Sequence, residues 1–175
     1  ITDAATIDVV EMVLSGVTNK AIVSSIANSG AKSVGISGKD GNLITAKRLI
    51  KVDDNSDSNV EKAIDLGYVG EPEKIDPQVI HALINEKMIP VIAPVGIGTD
   101  GLTYNINADT AAGSISAAMK ASRMIMLTDV AGVLDQNGKL IPELTISEAQ
   151  ELIKNKIVVG GMIPKIKTCI DAVLG

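Results

Sequence analysis

Apolar positions along the chain follow two spacings, one suited to helices and one to strands. Thr2 or Asp3 caps an expected helix from Ala4 to about Leu14, with Ile7, Val10 and Leu14 on one side. A second helix is expected near Asn19–Asn28, with Ile22, Val23 and Ile26 as its core face and Gly30 as its stop. Ser33–Ser37 reads as a short buried strand, Gly38–Asn42 as a turn and Leu43–Val52 as a second strand, a pair suggesting a hairpin or ribbon. The acidic stretch Asp53–Asn59 superficially resembles a calcium loop. It lacks the glycine and the closing glutamate such a loop needs, so it reads as a solvated tip. Ile64–Val69 reads as a strand, Glu71–Asp76 as a charged connection and Pro77–Glu86 as a helix with proline near its first turn. Met88–Val95 is an apolar strand whose two prolines suggest kinks or an exposed edge.

The strongest helical pattern follows Tyr104–Asn107. Ala108, Ala111, Ala112, Ile115, Ala118 and Met119 make one apolar face of mainly small residues, giving a helix over Asn107–Ala121. Asn105 or Asn107 is suited to cap it, and Asp109 falls in the first turn, where the helix dipole favours negative charge. Arg123–Leu127 reads as an apolar strand, Asp135–Gly138 as a turn, and Ser147 as the cap of a helix reaching about Lys154. Gly160 and Gly161 precede a final helix with Ile163, Ile166, Ile170, Val173 and Leu174 on its core side. Strands alternating with helices imply an α/β layered fold with a mainly parallel sheet.

Composition narrows the function. Hydrophobic residues make up 46 % of the 175, enough for a core, but the only aromatics are two Tyr. With a net charge of −5 and no basic run, a nucleic-acid partner is not expected. No signal peptide is recognised, and no uninterrupted apolar run of the roughly 18 residues that span a bilayer is seen, so no membrane association is expected. The single Cys169 cannot form an internal disulfide, which fits a cytoplasmic location, and it reads as packing rather than a nucleophile. His81 is the only histidine, which excludes a multi-histidine metal site.

Two candidate ligand loops leave expected strand ends, Thr128–Leu134 and Ile157–Lys165. Gly160 and Gly161 let backbone N–H groups approach an anion, and the helix terminus adds partial positive charge. Lys165 then stands in the first helical turn, against the preference of the dipole, which makes it a candidate for phosphate; the plain alternative is a surface lysine beside a glycine turn. Gly96–Gly101 matches GxGxxG after a strand, but no helix begins there and no acid follows at the required distance, so it reads as a flexible loop.

The segments Ile1–Thr6, Ser37–Gly41, Tyr104–Asp109, Leu127–Leu134 and Gly160–Lys165, in this order and at these distances, resemble the amino-acid kinase family and within it the N-acetyl-L-glutamate kinases. The resemblance covers essentially the whole chain. It implies a three-layer αβα sandwich that transfers a phosphoryl group from ATP, with Mg²⁺, to the γ-carboxylate of N-acetyl-L-glutamate in arginine biosynthesis. By the same resemblance Asn105 and Asn107 bind the acetylated amino acid, Asp109 orients catalytic cations and Lys165 stabilises the transferring group. Asp129, Val130, Ala131, Gly132, Val133 and Leu134, with Ile157, Val158, Val159, Gly160 and Gly161, hold the nucleotide. Residues 1–121 would belong to the acetylglutamate-binding half and 122–175 to the ATP-binding half. A cytoplasmic homo-oligomer of the full chain, dimer or hexamer, is expected.

The family's Lys-x-Gly-Gly-type loop, a second glycine-rich loop, a substrate-clamping arginine and the closing strands are not in this sequence. The expectation is therefore an internal piece carrying one catalytic lysine of two, inactive or nearly so alone. Two other readings stay open: another amino-acid kinase acting on aspartate, carbamate or a nucleotide, and a non-catalytic ligand-binding domain of the same fold.

Overall fold

The computed structural model describes residues 2–53 and 62–174. All but the first residue of the expected acidic tip, Asp53–Asn59, lies outside them. The chain divides into two compact units, Ile1–Ala111 and Ala112–Gly175.

The first unit opens with α1 (Ala4–Glu11), a π-helical stretch Met12–Thr18 and α2 (Asn19–Asn28), joined without interruption. Asp3 is the cap: its carboxylate accepts from the Thr6 N–H at 2.8 Å. The two separate helices expected here are thus one. Ser15, Gly16 and Thr18 are poor helix formers, yet they widen the turn rather than end it, and Met12 and Thr18 keep right-handed helical backbone. The expectation that no segment reaches membrane length is corrected as well. Ala4–Asn28 is 25 residues of helix, long and apolar enough to cross a bilayer by length and composition alone. Its polar residues have other business. Buried Asn19 donates its amide to the carbonyls of Ile36 (3.0 Å) and Val91 (2.9 Å), and Lys20 Nζ donates to the Gly35 carbonyl at 2.8 Å. These bonds seat the helix on a sheet.

That sheet is β1 (Ser33–Ser37) paired in parallel with β4 (Ile89–Ala93), running from Ser33 opposite Ile89 to Ser37 opposite Ala93. The expected hairpin of β1 with the next strand does not form. Asp40 Oδ2 accepts from both the N–H and the hydroxyl of Ser37, at 2.7 and 2.8 Å, and Gly38 N–H bonds to the Ala93 carbonyl. This turn, which includes a short 3₁₀ segment over Asp40–Asn42, sends the chain into a second sheet. There β2 (Ile44–Asp53), β3 (Lys62–Ile75), β5 (Val95–Gly98) and β6 (Thr103–Ile106) close a ring in the order β2-β3-β6-β5. Among the described residues three of the five strand pairings are parallel, β1 with β4, β2 with β5 and β3 with β6, and two are antiparallel. The α/β arrangement is what the sequence implied.

Other boundaries move. Glu71–Asp76, expected as a connection, supplies the last part of β3 through Ile75, because Glu71, Pro72 and Lys74 pair with β2. Gly96–Gly98 is strand, not loop, and the single expected strand Met88–Val95 breaks at Pro94 into β4 and β5. α3 (Gln78–Asn85) runs between β3 and β4. Leu43, Ile44 and Val95 are fully buried and, with Ile80, Tyr104 and Ile106, make an almost wholly aliphatic core.

α4 (Ala108–Ala118) spans the division between the units, and the second unit continues with α5 (Ile146–Lys154) and α6 (Met162–Leu174). Its core is Ala149, Val158 and Ile166, with Leu152, Ile163 and Ile170 packed against them. Gly113 of α4 is buried where a Cβ would come within 2.5 Å of the Thr168 methyl of α6. Four expectations fail in this unit. Arg123–Leu127 forms no strand: no described strand pairs with it, so its ladder bonds are not made, and Leu127 is 92 % exposed. Val173 and Leu174 lie outside the core of α6, and Cys169 is exposed rather than packed. The cap of α5 is Thr145, not Ser147, which lies within the first turn.

Candidate active site

Alternation along β6 sets the first half of the site. Tyr104 and Ile106 point into the core, so Thr103 and Asn105 share the opposite, half-buried face. Asn105 is tied on both sides, opposite Val69 of β3 and Val95 of β5. The chain then turns into α4, and Asn107 is the cap: its Oδ1 accepts from the Thr110 N–H at 3.1 Å. Of the two asparagines suited to capping, Asn107 does it, leaving Asn105 on the strand. Asp109 follows in the first helical turn, half-buried. Asn105, Asn107 and Asp109 are thus gathered within the end of one strand and the first turn of one helix.

Two groups that the sequence did not single out hold this junction. The Tyr104 hydroxyl donates to Asp100 Oδ2 at 2.7 Å. The bond keeps the Asp100 carboxyl below its ordinary range and, as the main cause, raises the Tyr104 phenol above its own. Thr103 joins a second network. Lys39 Nζ donates to Glu11 Oε1 at 2.8 Å and to Thr103 Oγ1 at 2.9 Å, and the Thr103 hydroxyl donates to Glu11 Oε2 at 3.3 Å. In sequence Lys39 stood in a turn that carried part of the family resemblance but had no role of its own, because its partners lie 28 and 64 residues away.

Every residue of the chain, 1–175, matches the sequence profile of the Amino acid kinase family. The chain belongs to that family. It is 60 % identical over 173 residues to the acetylglutamate kinase of Gluconobacter oxydans and 57 % identical over 173 residues to that of Acidiphilium cryptum. These matches take in 99 % of this chain but 59 % and 58 % of the two relatives, so the chain spans less than two thirds of their length. Among solved structures, smu.665 of Streptococcus mutans superimposes with a TM-score of 0.81 at 27 % identity, covering 99 % of this chain and 66 % of that one.

The second unit of this family member carries the other expected site residues. The Thr128 hydroxyl donates to Asp129 Oδ1 at 3.2 Å, and Asp129, Val130 and Ala131 are exposed. Gly132 and Val133 are half-buried, Val133 packs on the unit's core, and Leu134 bridges to Leu140 around a turn. Asp135 closes that turn by accepting from the N–H groups of Asn137 and Lys139. Ile157 and Val158 both donate their N–H to the Leu152 carbonyl at the end of α5. The Val158 side chain is core, so any ligand contact there falls to its backbone, whereas Val159 is exposed. Gly160 takes φ +60°, a left-handed conformation that a side chain would strain, and no atom lies within 4 Å of where a Gly161 Cβ would stand. Lys165 is half-buried, directly before Ile166 of the core.

Proposed function

We propose that the full chain transfers the terminal phosphoryl group of ATP to the γ-carboxylate of N-acetyl-L-glutamate, a step of arginine biosynthesis. The observation that carries this reading is the likeness to acetylglutamate kinases along almost the whole chain. The β6–α4 junction supports it. It presents one strand amide, one capping amide and one carboxylate in adjacent positions.

The chemistry is one of placement. A free glutamate side chain titrates near ~4.3, so the acceptor is already an anion at neutral pH and needs no general base. Asp109 is therefore better suited to orienting cations than to taking a proton. The obstacle is bringing an anion to a polyanion, and on a chain of net charge −5 the positive charge must be local. Asn105 and Asn107 offer amide dipoles to the acetylated substrate. Lys165 offers an ammonium group to the moving phosphoryl. The open Gly160–Gly161 backbone before α6 offers N–H groups to phosphate, while Asp129–Leu134 and Ile157–Val159 flank the nucleotide. In this reading residues 1–121 serve the acetylglutamate half and 122–175 the ATP half.

Among the described residues no group of three or more His, Cys, Asp or Glu is arranged to hold a metal. A Mg²⁺ that arrives with ATP takes phosphate oxygens and waters as ligands and needs few from protein, so these residues do not define its seat and no step is assigned to it. The enzyme is read as a soluble, cytoplasmic homo-oligomer.

The test is a substrate panel on the full chain with hydroxylamine as trap. The expected result is ATP-dependent hydroxamate from N-acetyl-L-glutamate and little from aspartate. Hydroxamate from aspartate in preference, carbamate-dependent ATP turnover in its place, or ligand binding without any turnover, would overturn the reading.

A further inference from the structure

We propose that Lys39 is a positioning residue for Asn105, acting through Thr103; this rests on the acetylglutamate kinase reading above. The Lys39 ammonium lies between Glu11 Oε1 of α1 and Thr103 Oγ1 of β6, at 2.8 and 2.9 Å. The Thr103 hydroxyl completes the triangle on the other oxygen of Glu11. Three elements distant in sequence are thus pinned at one point. The turn that carries Lys39 is itself fixed: its N–H bonds to the Ser37 hydroxyl, and Asp40 holds Ser37 twice.

Thr103 stands two residues before Asn105 on the same face of β6, so the pin sets where the Asn105 amide sits along the strand. Both charged side chains of the pair are about one third exposed, 30 % and 35 %. Ion pairs so exposed add little to stability. Geometry is the more sensitive readout, since small displacements of a binding group cost much in rate.

The experiment uses the full-length enzyme and steady-state kinetics. Lys39→Met keeps the stem and removes the charge. Its KM for N-acetyl-L-glutamate rises about fivefold while its KM for ATP stays within about twofold, a small share of the ~100-fold that a full ångström of misplacement can cost. Lys39→Arg restores most of the loss. Thr103→Val, which removes one hydroxyl and keeps the shape, shifts the same constant in the same direction and serves if Lys39→Met folds poorly. Combined with Glu11→Gln, Lys39→Met shows no further rise, because both changes remove one network. An active wild-type enzyme whose Lys39→Met and Thr103→Val variants keep the parental KM for N-acetyl-L-glutamate overturns the inference alone. So does an equal rise in both KM values. A wild-type enzyme that does not turn over N-acetyl-L-glutamate overturns the kinase reading, and the inference with it.

Discussion

Lys165 stands in the first turn of α6, the end of a helix where a cation is least favoured. That placement against the dipole is what makes Lys165 the proposed contact of the moving phosphoryl group. In the full enzyme Lys165→Ala is expected to lower kcat by about 10²–10³, the usual loss of a group aimed at developing charge, with KM values changed much less. Near-parental kcat in the same assay would remove Lys165 from the chemistry. Asn105→Ala is expected to raise KM for N-acetyl-L-glutamate about tenfold, which corresponds to one lost hydrogen bond to a charged group at ~1.5 kcal/mol. An unchanged KM would remove Asn105 from the site. The sequence offered Lys165 through a local signal, a glycine pair before a helix, whereas Asn105 was named for the site only through the family resemblance. Lys39 and Asp100 were not legible, since their meaning depends on Glu11, Thr103 and Tyr104, which only the folded chain brings to them.

At the level of elements, caps and close contacts decide what each helix is worth. α5 begins with a reciprocal capping box in which Thr145 Oγ1 accepts from the Glu148 N–H and Glu148 Oε2 accepts from the Thr145 N–H. Thr145→Ala is expected to destabilise the protein by about 1 kcal/mol in denaturant titration. The Thr145 N–H, first in weight, and the Thr145 hydroxyl both donate to Glu148 Oε2 at 2.7 Å and hold the Glu148 carboxyl below its ordinary range. A depressed carboxylate stabilises the fold above its unfolded pKa and loses that contribution as pH falls through the lower folded value. The melting-temperature gap between the parent and Glu148→Ala should therefore be present at pH 6 and shrink below about pH 4. A gap that widened in acid would contradict the cap. Gly113→Val, forced against Thr168, is expected to cost about 1–3 kcal/mol. Most elements were legible from periodicity. The exceptions have physical causes: α1 and α2 fuse because helical backbone tolerates the Ser15–Thr18 stretch, Pro94 splits one apolar run into two strands, and Arg123–Leu127 has strand composition without a described partner strand.

On the scale of the whole molecule, the α/β class and the family followed from a few short segments in fixed order, because such segments mark strand ends and helix starts. Pairing was harder to read. The sequence suggested that neighbouring strands 33–37 and 43–52 would pair, whereas the Asp40–Ser37 bonds direct them into different sheets. The central proposal gives two groups of the complete enzyme one partner each: the Asn105 amide of β6 takes the acetylated substrate, and the Lys165 ammonium of α6 takes the moving phosphoryl group. It is tested most directly by a structure of the full chain with N-acetyl-L-glutamate and a non-hydrolysable ATP analogue. The account predicts the Asn105 amide on the acetylated substrate and Lys165 Nζ about 3 Å from a terminal phosphate oxygen. Lys165 turned into bulk solvent, with the phosphate held by other groups, would contradict it.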